Sequence, residues 1–372
     1  MRRYTVIGAG NGGLATAGVL ALGGHTVTLF ESKQFEANLQ PVRASGTVTL
    51  FGEISGSAAI RHTTTDIEEA VTGADVVIVV TPSSAHRYIA GICAPFLAEG
   101  QVVILHPGRP GGALEFVNRA DLRSGVIVAE TQSLLYAVRT LSQYVSIPSD
   151  QLAQVLGDKV WLYAVKRKVR IAAIPSTETQ RVVAMVREPF PQLVAAESVL
   201  ETSLNDVGGV FHPAPALLNL ARIDRGERFL HYHEGITKSV ARIVEGIDEE
   251  RLSICRALGV QAVSAKDWLK ETYDVDGEDL YAALQNHTAY RYAHSPQQKV
   301  ENHYYLNEIP MELVPLSSIA EEIGVRTPCI DAVIALLSQL HQRDLRVEGR
   351  TADRLGLAGL TAAEILKKAK GR

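Results

Sequence analysis

Short apolar runs alternate with stretches of helical period along the first half of the chain. Residues 4–7 form a brief apolar run, residues 14–22 carry small residues on one face of a helical pattern, and residues 25–30 alternate as a second strand. The β-branched run at 76–80 predicts a fully buried strand, and residues 102–105 and 126–130 predict two more. Helices are expected over 67–71 and 85–97, and a hairpin or short crossover strands at 47–50 and 58–61. This alternation predicts a doubly wound α/β domain, a parallel sheet with helices on both faces. From about 160 to 185 the pattern changes. Strands at 161–165 and 168–173 either extend that sheet or form an antiparallel annex. Arg187-Glu188-Pro189-Phe190-Pro191 then breaks the chain, because two prolines continue neither a helix nor a central strand. Beyond it the pattern is helical, over 195–211, 236–257, 262–271, 314–323 and 330–340. The expected organisation is an α/β domain over 1–188 and an all-helical domain over 189–372.

Composition narrows the partners. The 372 residues suit two domains, and 46% apolar with 21% charged residues is ordinary for a globular protein. The net charge of −4, with both signs interspersed and no basic run, argues against a nucleic-acid surface. No stretch is long and apolar enough to predict a membrane span. Cys93, Cys255 and Cys329 lie far apart with no CxxC, against a disulfide framework or structural zinc and in keeping with a reducing compartment. The first strand starts almost at Met1, with no charged-then-apolar leader, so a cytoplasmic location is expected.

The first chemistry lies where strand 4–7 runs into Gly8-Ala9-Gly10-Asn11-Gly12-Gly13 and a helix follows. This is G-x-G-x-x-G in its strand–turn–helix context, the dinucleotide-binding fingerprint of a Rossmann domain. Gly8 permits the tight turn, Gly10 lets backbone approach a pyrophosphate, Gly13 allows close packing, and the helix start offers N–H groups to phosphate. Glu31 ends the second strand, where a carboxylate bonds ribose hydroxyls and repels a 2′-phosphate. NAD is therefore expected, with NADP as the alternative because Ser32 and Lys33 follow directly. Thr81-Pro82-Ser83-Ser84 and His106-Pro107-Gly108-Arg109-Pro110-Gly111-Gly112 follow strands at the end where open α/β sheets bind ligands. Thr81 and Pro82 are cofactor candidates, with plain turn chemistry as the other reading.

The acid/base candidate is His212 in Gly208-Gly209-Val210-Phe211-His212-Pro213. A histidine beside helix-breaking prolines can exchange protons near neutral pH, and it can equally be a capping or packing residue among eleven histidines. Asn205, two helical turns earlier, would share its face at about 10 Å, with Gly208 between them leaving room for substrate. His231 and His233 are spaced for a strand or loop rather than a helical metal pair, and no HExxH exists, so no metal is expected.

Several segments together resemble the opine dehydrogenases. They are the glycine loop, Pro107 to Phe116, Phe211-His212-Pro213-Ala214-Pro215, Tyr232-His233-Glu234-Gly235-Ile236-Thr237, and Glu348-Gly349-Arg350-Thr351 through Leu355-Gly356-Leu357 to Thr361. The resemblance spans essentially the whole chain. It implies a Rossmann domain joined to a helical domain like that of 6-phosphogluconate dehydrogenase. The implied reaction is NAD(P)H-dependent reduction of the imine formed between an amino acid and a 2-oxo acid. It makes His212 the catalytic histidine and Thr237 a residue near substrate. Two departures stand out: Gly208 occupies the family's asparagine position, and the Arg-Tyr-x-x-Glu-Asp pattern reads His303-Tyr304-Tyr305-Leu306-Asn307-Glu308. Glu308 then takes the place of the aspartate that orients the histidine, and His303 that of an arginine whose bidentate fork it cannot reproduce. Rival readings are a carbonyl-only reductase, which needs no amine, and a non-catalytic NAD(P)-binding sensor. A helical second domain would suit a homodimer.

Overall fold

The computed structural model describes residues 1–140, 157–293 and 306–371. His303 lies outside them. The chain divides into two compact units, one of Met1–Gly108 with Phe116–Ala195, the other of Arg109–Glu115 with Ala196–Arg372.

The first unit is built on a sheet of eight strands in the order β12-β11-β8-β7-β6-β1-β2-β5. Its strands are β1 (Arg3–Ile7), β2 (Thr26–Phe30), β5 (His62–Thr64), β6 (Val76–Val79), β7 (Val102–Leu105), β8 (Ile127–Thr131), β11 (Val169–Ile174) and β12 (Leu193–Ala195). All pairs are parallel except β11 with β8. β6 and β7 sit near the middle with every residue buried, which explains their unbroken apolar runs: both faces are covered, so no polar alternation survives. A second sheet, in the order β4-β3-β10-β9, joins the hairpin β3 (Thr47–Gly52) and β4 (Gly56–Ala59) to β9 (Tyr136–Thr140) and β10 (Lys159–Val165). The two strands expected after residue 160 thus part company: β10 joins the annex while β11 extends the main sheet. β12 pairs with β11 beyond the Pro189/Pro191 break, so the first unit runs to Ala195.

The second unit is helical. Its longest element, Lys238–Leu258, is capped by Thr237, whose hydroxyl accepts from the Val240 amide, and it buries one apolar stripe beginning Ala241, Val244 and Ile247. The single helix expected over 195–211 is broken in the structure into Val199–Leu204 and Gly208–Phe211. The break is held by Arg251, fully buried, which donates to the Leu204 and Val263 carbonyls and pairs with Asp248 at 2.6 Å. Among the described residues no helix is long and apolar enough to cross a membrane.

Candidate active site

In the first unit, β1 delivers the chain into the glycine loop and the helix Asn11–Leu22. Gly8 has φ +109°, and a Cβ there would lie 2.4 Å from the Val80 carbonyl oxygen. A Cβ on Gly13 would lie 1.8 Å from the Gly8 carbonyl oxygen, so strand and helix approach as only glycine permits. Gly10, the residue before the helix, has open space where a Cβ would stand. That is the cradle a pyrophosphate needs, at the end of a helix whose dipole favours anions. Gly12 faces Val80 and Leu134, and the Asn11 side chain accepts from the Thr140 amide, tying the loop to β9.

Glu31 directly follows β2 and is buried, and its carboxylate accepts from the Ala9 amide at 3.0 Å, the Ser32 amide at 2.8 Å and Asn38 Nδ2 at 3.3 Å. The acid is thereby fixed beside the loop before any ligand arrives. Thr81 and Pro82 follow β6, the neighbour of β1, and the Thr81 methyl lies beside Gly8. Thr81 Oγ1 is buried with no hydrogen-bond partner, a polar atom suited to a ligand. Glycine cradle, fixed carboxylate and unpaired hydroxyl together fit an adenine dinucleotide.

The second unit brings together His212 and Glu308, 96 residues apart. His212 separates the helices Gly208–Phe211 and Pro213–Leu218, because Pro213 has no amide with which to continue the helix. Its Nδ1 lies 2.8 and 2.7 Å from the two Glu308 oxygens, and its Nε2 lies 2.7 Å from the Tyr232 hydroxyl. His212 is 17% exposed and Glu308 2%. The Tyr232 ring stacks on Tyr290 at 3.8 Å, which fixes the hydroxyl against the imidazole. With Nδ1–H on the carboxylate, Nε2 is the ring nitrogen able to exchange a proton. His231 is turned elsewhere: its ring nitrogen donates to the Phe211 carbonyl, and burial pushes it down to about 3, so it stays neutral.

Around this pair lies a cluster that sequence reasoning missed. Arg109 Nη1 donates to Asp206, at 3.2 and 3.0 Å, and lies 3.0 Å from Glu312; its Nη2 lies 3.9 Å from Glu308. Burial raises both Glu308 and Glu312 well above the ordinary glutamate range, and Arg109 pulls each back. Glu308 precedes the wide helical turn Ile309–Leu313 and Glu312 lies within it; the turn's i→i+5 hydrogen bond is of a kind that recurs at functional sites. The one sequence signal for the cluster was a lone arginine in a glycine-rich loop.

Two predicted substrate residues sit differently from expectation. Asn205 does not share a helical face with His212. Its amide donates to the Glu201 and Gln261 carbonyls and accepts from the Val263 amide, fixing the turn that presents Asp206. The space at Gly208 is filled rather than open: a Cβ there would lie 2.1 Å from Arg109 Nη1 and 2.6 Å from Glu312 Oε2. Thr237 is the exposed N-cap described above.

Comparison with known proteins follows the same division. Residues 195–341 match the family model for the NAD/NADP octopine/nopaline dehydrogenase alpha-helical domain, and residues 3–108 match that for the NAD-dependent glycerol-3-phosphate dehydrogenase N-terminus. The chain is similar to an opine dehydrogenase of Arthrobacter sp. (strain 1C), 37% identical over 367 residues and covering 98% of each. Its fold resembles octopine dehydrogenase solved with NADH and L-arginine, at TM-score 0.78, 22% identity and coverage of 100% and 98%. It also resembles yersinopine dehydrogenase solved with NADP+, at TM-score 0.69, 15% identity and coverage of 97% and 94%.

Proposed function

The chain belongs to the opine dehydrogenase family and is an NAD(P)-dependent dehydrogenase acting on CH–NH bonds, and from that premise we propose that His212, held by Glu308, is its general acid/base. The reaction is reductive condensation of an amino acid with a 2-oxo acid. The amine attacks the carbonyl carbon, and the carbinolamine must lose hydroxide as water to give the imine. The nicotinamide, when bound, supplies the hydride that reduces the C=N carbon.

The observation that carries this reading is the pairing of both His212 nitrogens, one on a buried carboxylate and the other on a hydroxyl. Glu308 fixes the Nδ1–H tautomer and stabilises the imidazolium. The protonated Nε2 gives its proton to the carbinolamine oxygen, and in the reverse direction it takes that proton back. The Tyr232 hydroxyl marks the line along which a substrate oxygen meets Nε2. The first unit holds the dinucleotide through Gly8, Gly10, Asn11, Gly12 and Gly13, with Glu31 bonding the adenosine ribose and Thr81 lining the loop. Because Glu31 is anionic where a 2′-phosphate would sit, NADH is the preferred cofactor.

The test follows NADH absorbance with pyruvate, oxaloacetate and 2-oxoglutarate, each with and without a panel of amino acids. Oxidation that requires an amino acid, and that His212→Ala lowers at least about 100-fold, is the expected result. Oxidation by a 2-oxo acid alone would favour a carbonyl reductase. Tight NADH binding without turnover would favour a sensor.

A further inference from the structure

The family pattern places asparagine four residues before the histidine, where this chain has Gly208. The structure fills that space from another part of the chain. The Arg109 guanidinium lies where the Gly208 side chain would be, and Arg109 itself has φ +61°, a left-handed conformation uncommon for arginine. Its loop is clamped within the same unit. The Gly111 amide donates to Ser203 Oγ at 3.0 Å, and Arg350 Nη1 donates to the Pro110 carbonyl at 2.9 Å. Arg350 Nε also pairs with Glu115 at 2.8 Å, both side chains fully buried.

Arg109 faces three carboxylates, Asp206, Glu308 and Glu312, each at most 3% exposed. Full ionisation would set three negative charges against one guanidinium and one imidazole in a nearly dry volume, which Coulomb repulsion forbids. The cluster therefore retains a proton. Glu312 is the better place for it: among the described residues its cationic partner is Arg109, whereas Glu308 has His212 as a second one. Among the described residues, further titratable groups around the pair are His231, which is neutral, Tyr232 on His212 Nε2, and Tyr290 behind it.

We propose that Arg109 is a positioning residue for the acid/base pair: lodged against the bare Cα of Gly208, it keeps Glu308 as the carboxylate that orients His212 and stabilises its protonated form. The proposal rests on the reading of His212 as the acid/base. Without Arg109, the three carboxylates lose the cation they share, the cluster takes up a further proton, and Glu308 is among the groups that receive it. His212 then loses its anionic partner, and its imidazolium gives up the proton at lower pH. Reductive condensation needs that imidazolium, so the basic limb of the pH–rate profile moves down.

The experiment measures kcat/KM against pH for the purified full chain with NADH, pyruvate and the amino acid that the panel selects. Arg109→Gln should move the basic limb down by roughly one pH unit. Arg109→Lys, which keeps the charge, should restore most of that shift. Gly208→Ala, whose Cβ displaces the guanidinium, should reproduce it, and should add little in an Arg109→Ala background because both changes remove one interaction. If Arg109→Gln does not fold, the Gly208→Ala profile decides alone. A loss of rate equal at every pH, a limb that moves up, or additive effects in the double variant would overturn the proposal. His212→Ala separates the two readings. If it leaves amine-dependent oxidation intact, the acid/base assignment fails; if it abolishes oxidation while the Arg109→Gln limb stays in place, only the role of Arg109 fails.

Discussion

Glu308 does for His212 what geometry alone could not: it offers both oxygens to Nδ1 from a position with almost no water access. Glu308→Gln keeps the shape and can still accept from Nδ1–H, but it removes the charge that stabilises the imidazolium. The expected result is a fall in kcat of roughly 100- to 10,000-fold with little change in the KM for NADH, read by steady-state kinetics. A fall of less than about tenfold would mean that Glu308 only packs. Glu31 acts through charge in the other unit. A carboxylate about 4 Å from a 2′-phosphate costs roughly 1–4 kcal/mol across the range from water to protein-surface screening. Glu31→Ala should therefore raise kcat/KM for NADPH relative to NADH by at least about fivefold. An unchanged ratio would place cofactor choice elsewhere. Both glutamates could be named from sequence, Glu31 because it ends a strand beside a glycine loop and Glu308 because a family pattern pointed to it. Arg109, Asp206 and Glu312 could not, because nothing in linear spacing announces that residues 97 and 106 positions apart will share one ion cluster.

Among the elements, the closing segment explains itself through what it holds. Arg350 lies just after the short helix Leu345–Glu348 and is fully buried, with Glu115 and the Pro110 carbonyl as partners; Arg354 joins it on Glu115. The Glu348-Gly349-Arg350-Thr351 signature is thus the clamp on the loop that carries Arg109. Gly349 belongs to it as well, since a Cβ there would lie 2.5 Å from Val314 Cγ1 and 2.8 Å from the Pro310 carbonyl oxygen. Arg350→Met leaves the buried Glu115 with half its pairing, and should cost about 3–5 kcal/mol of stability in urea denaturation. A loss under about 1 kcal/mol would show that Arg354 alone suffices. The elements also show where periodicity misleads. The apolar run over 195–211 reads as one helix, yet Arg251 and Asn205 use their donors on carbonyls around Leu204, and that competition ends the first helix there. A break made by tertiary hydrogen bonds leaves no proline or glycine at its start to announce it.

Over the whole molecule, pH also acts on stability through a buried histidine outside the acid/base pair. His106 is buried in the first unit, where Nδ1 lies 2.8 Å from Thr131 Oγ1 and Nε2 accepts from the Leu135 amide at 3.5 Å. Burial, aided by the charge of Lys166, pushes it down to about 3. An unfolded histidine titrates near 6.5. The folded chain therefore keeps His106 neutral while the unfolded chain takes up a proton, so this contribution is full above about pH 6.5 and is lost as pH falls toward 3. Between pH 7 and pH 5 the loss is about 2 kcal/mol. Wild-type protein should lose that much more stability over this range than His106→Gln, measured by urea unfolding at both pH values. Equal losses would mean that His106 is protonated in the folded state.

By itself the sequence determined the alternation of strands and helices in the first half of the chain, the glycine loop with Glu31 close by, and the family resemblance that singles out His212. These are local or periodic properties: a glycine needed for a backbone approach, a β-branched run covered on both faces, a proline that stops a helix at His212. Only the tertiary structure decided which strands share a sheet, so that β10 and β11 part although they are neighbours in the chain. It alone decided that Asn205 fixes a turn and that the space at Gly208 belongs to Arg109. The reason is physical: sheet pairing and buried charge are settled by which distant groups can satisfy one another once water is excluded, and that choice is made among all residues at once.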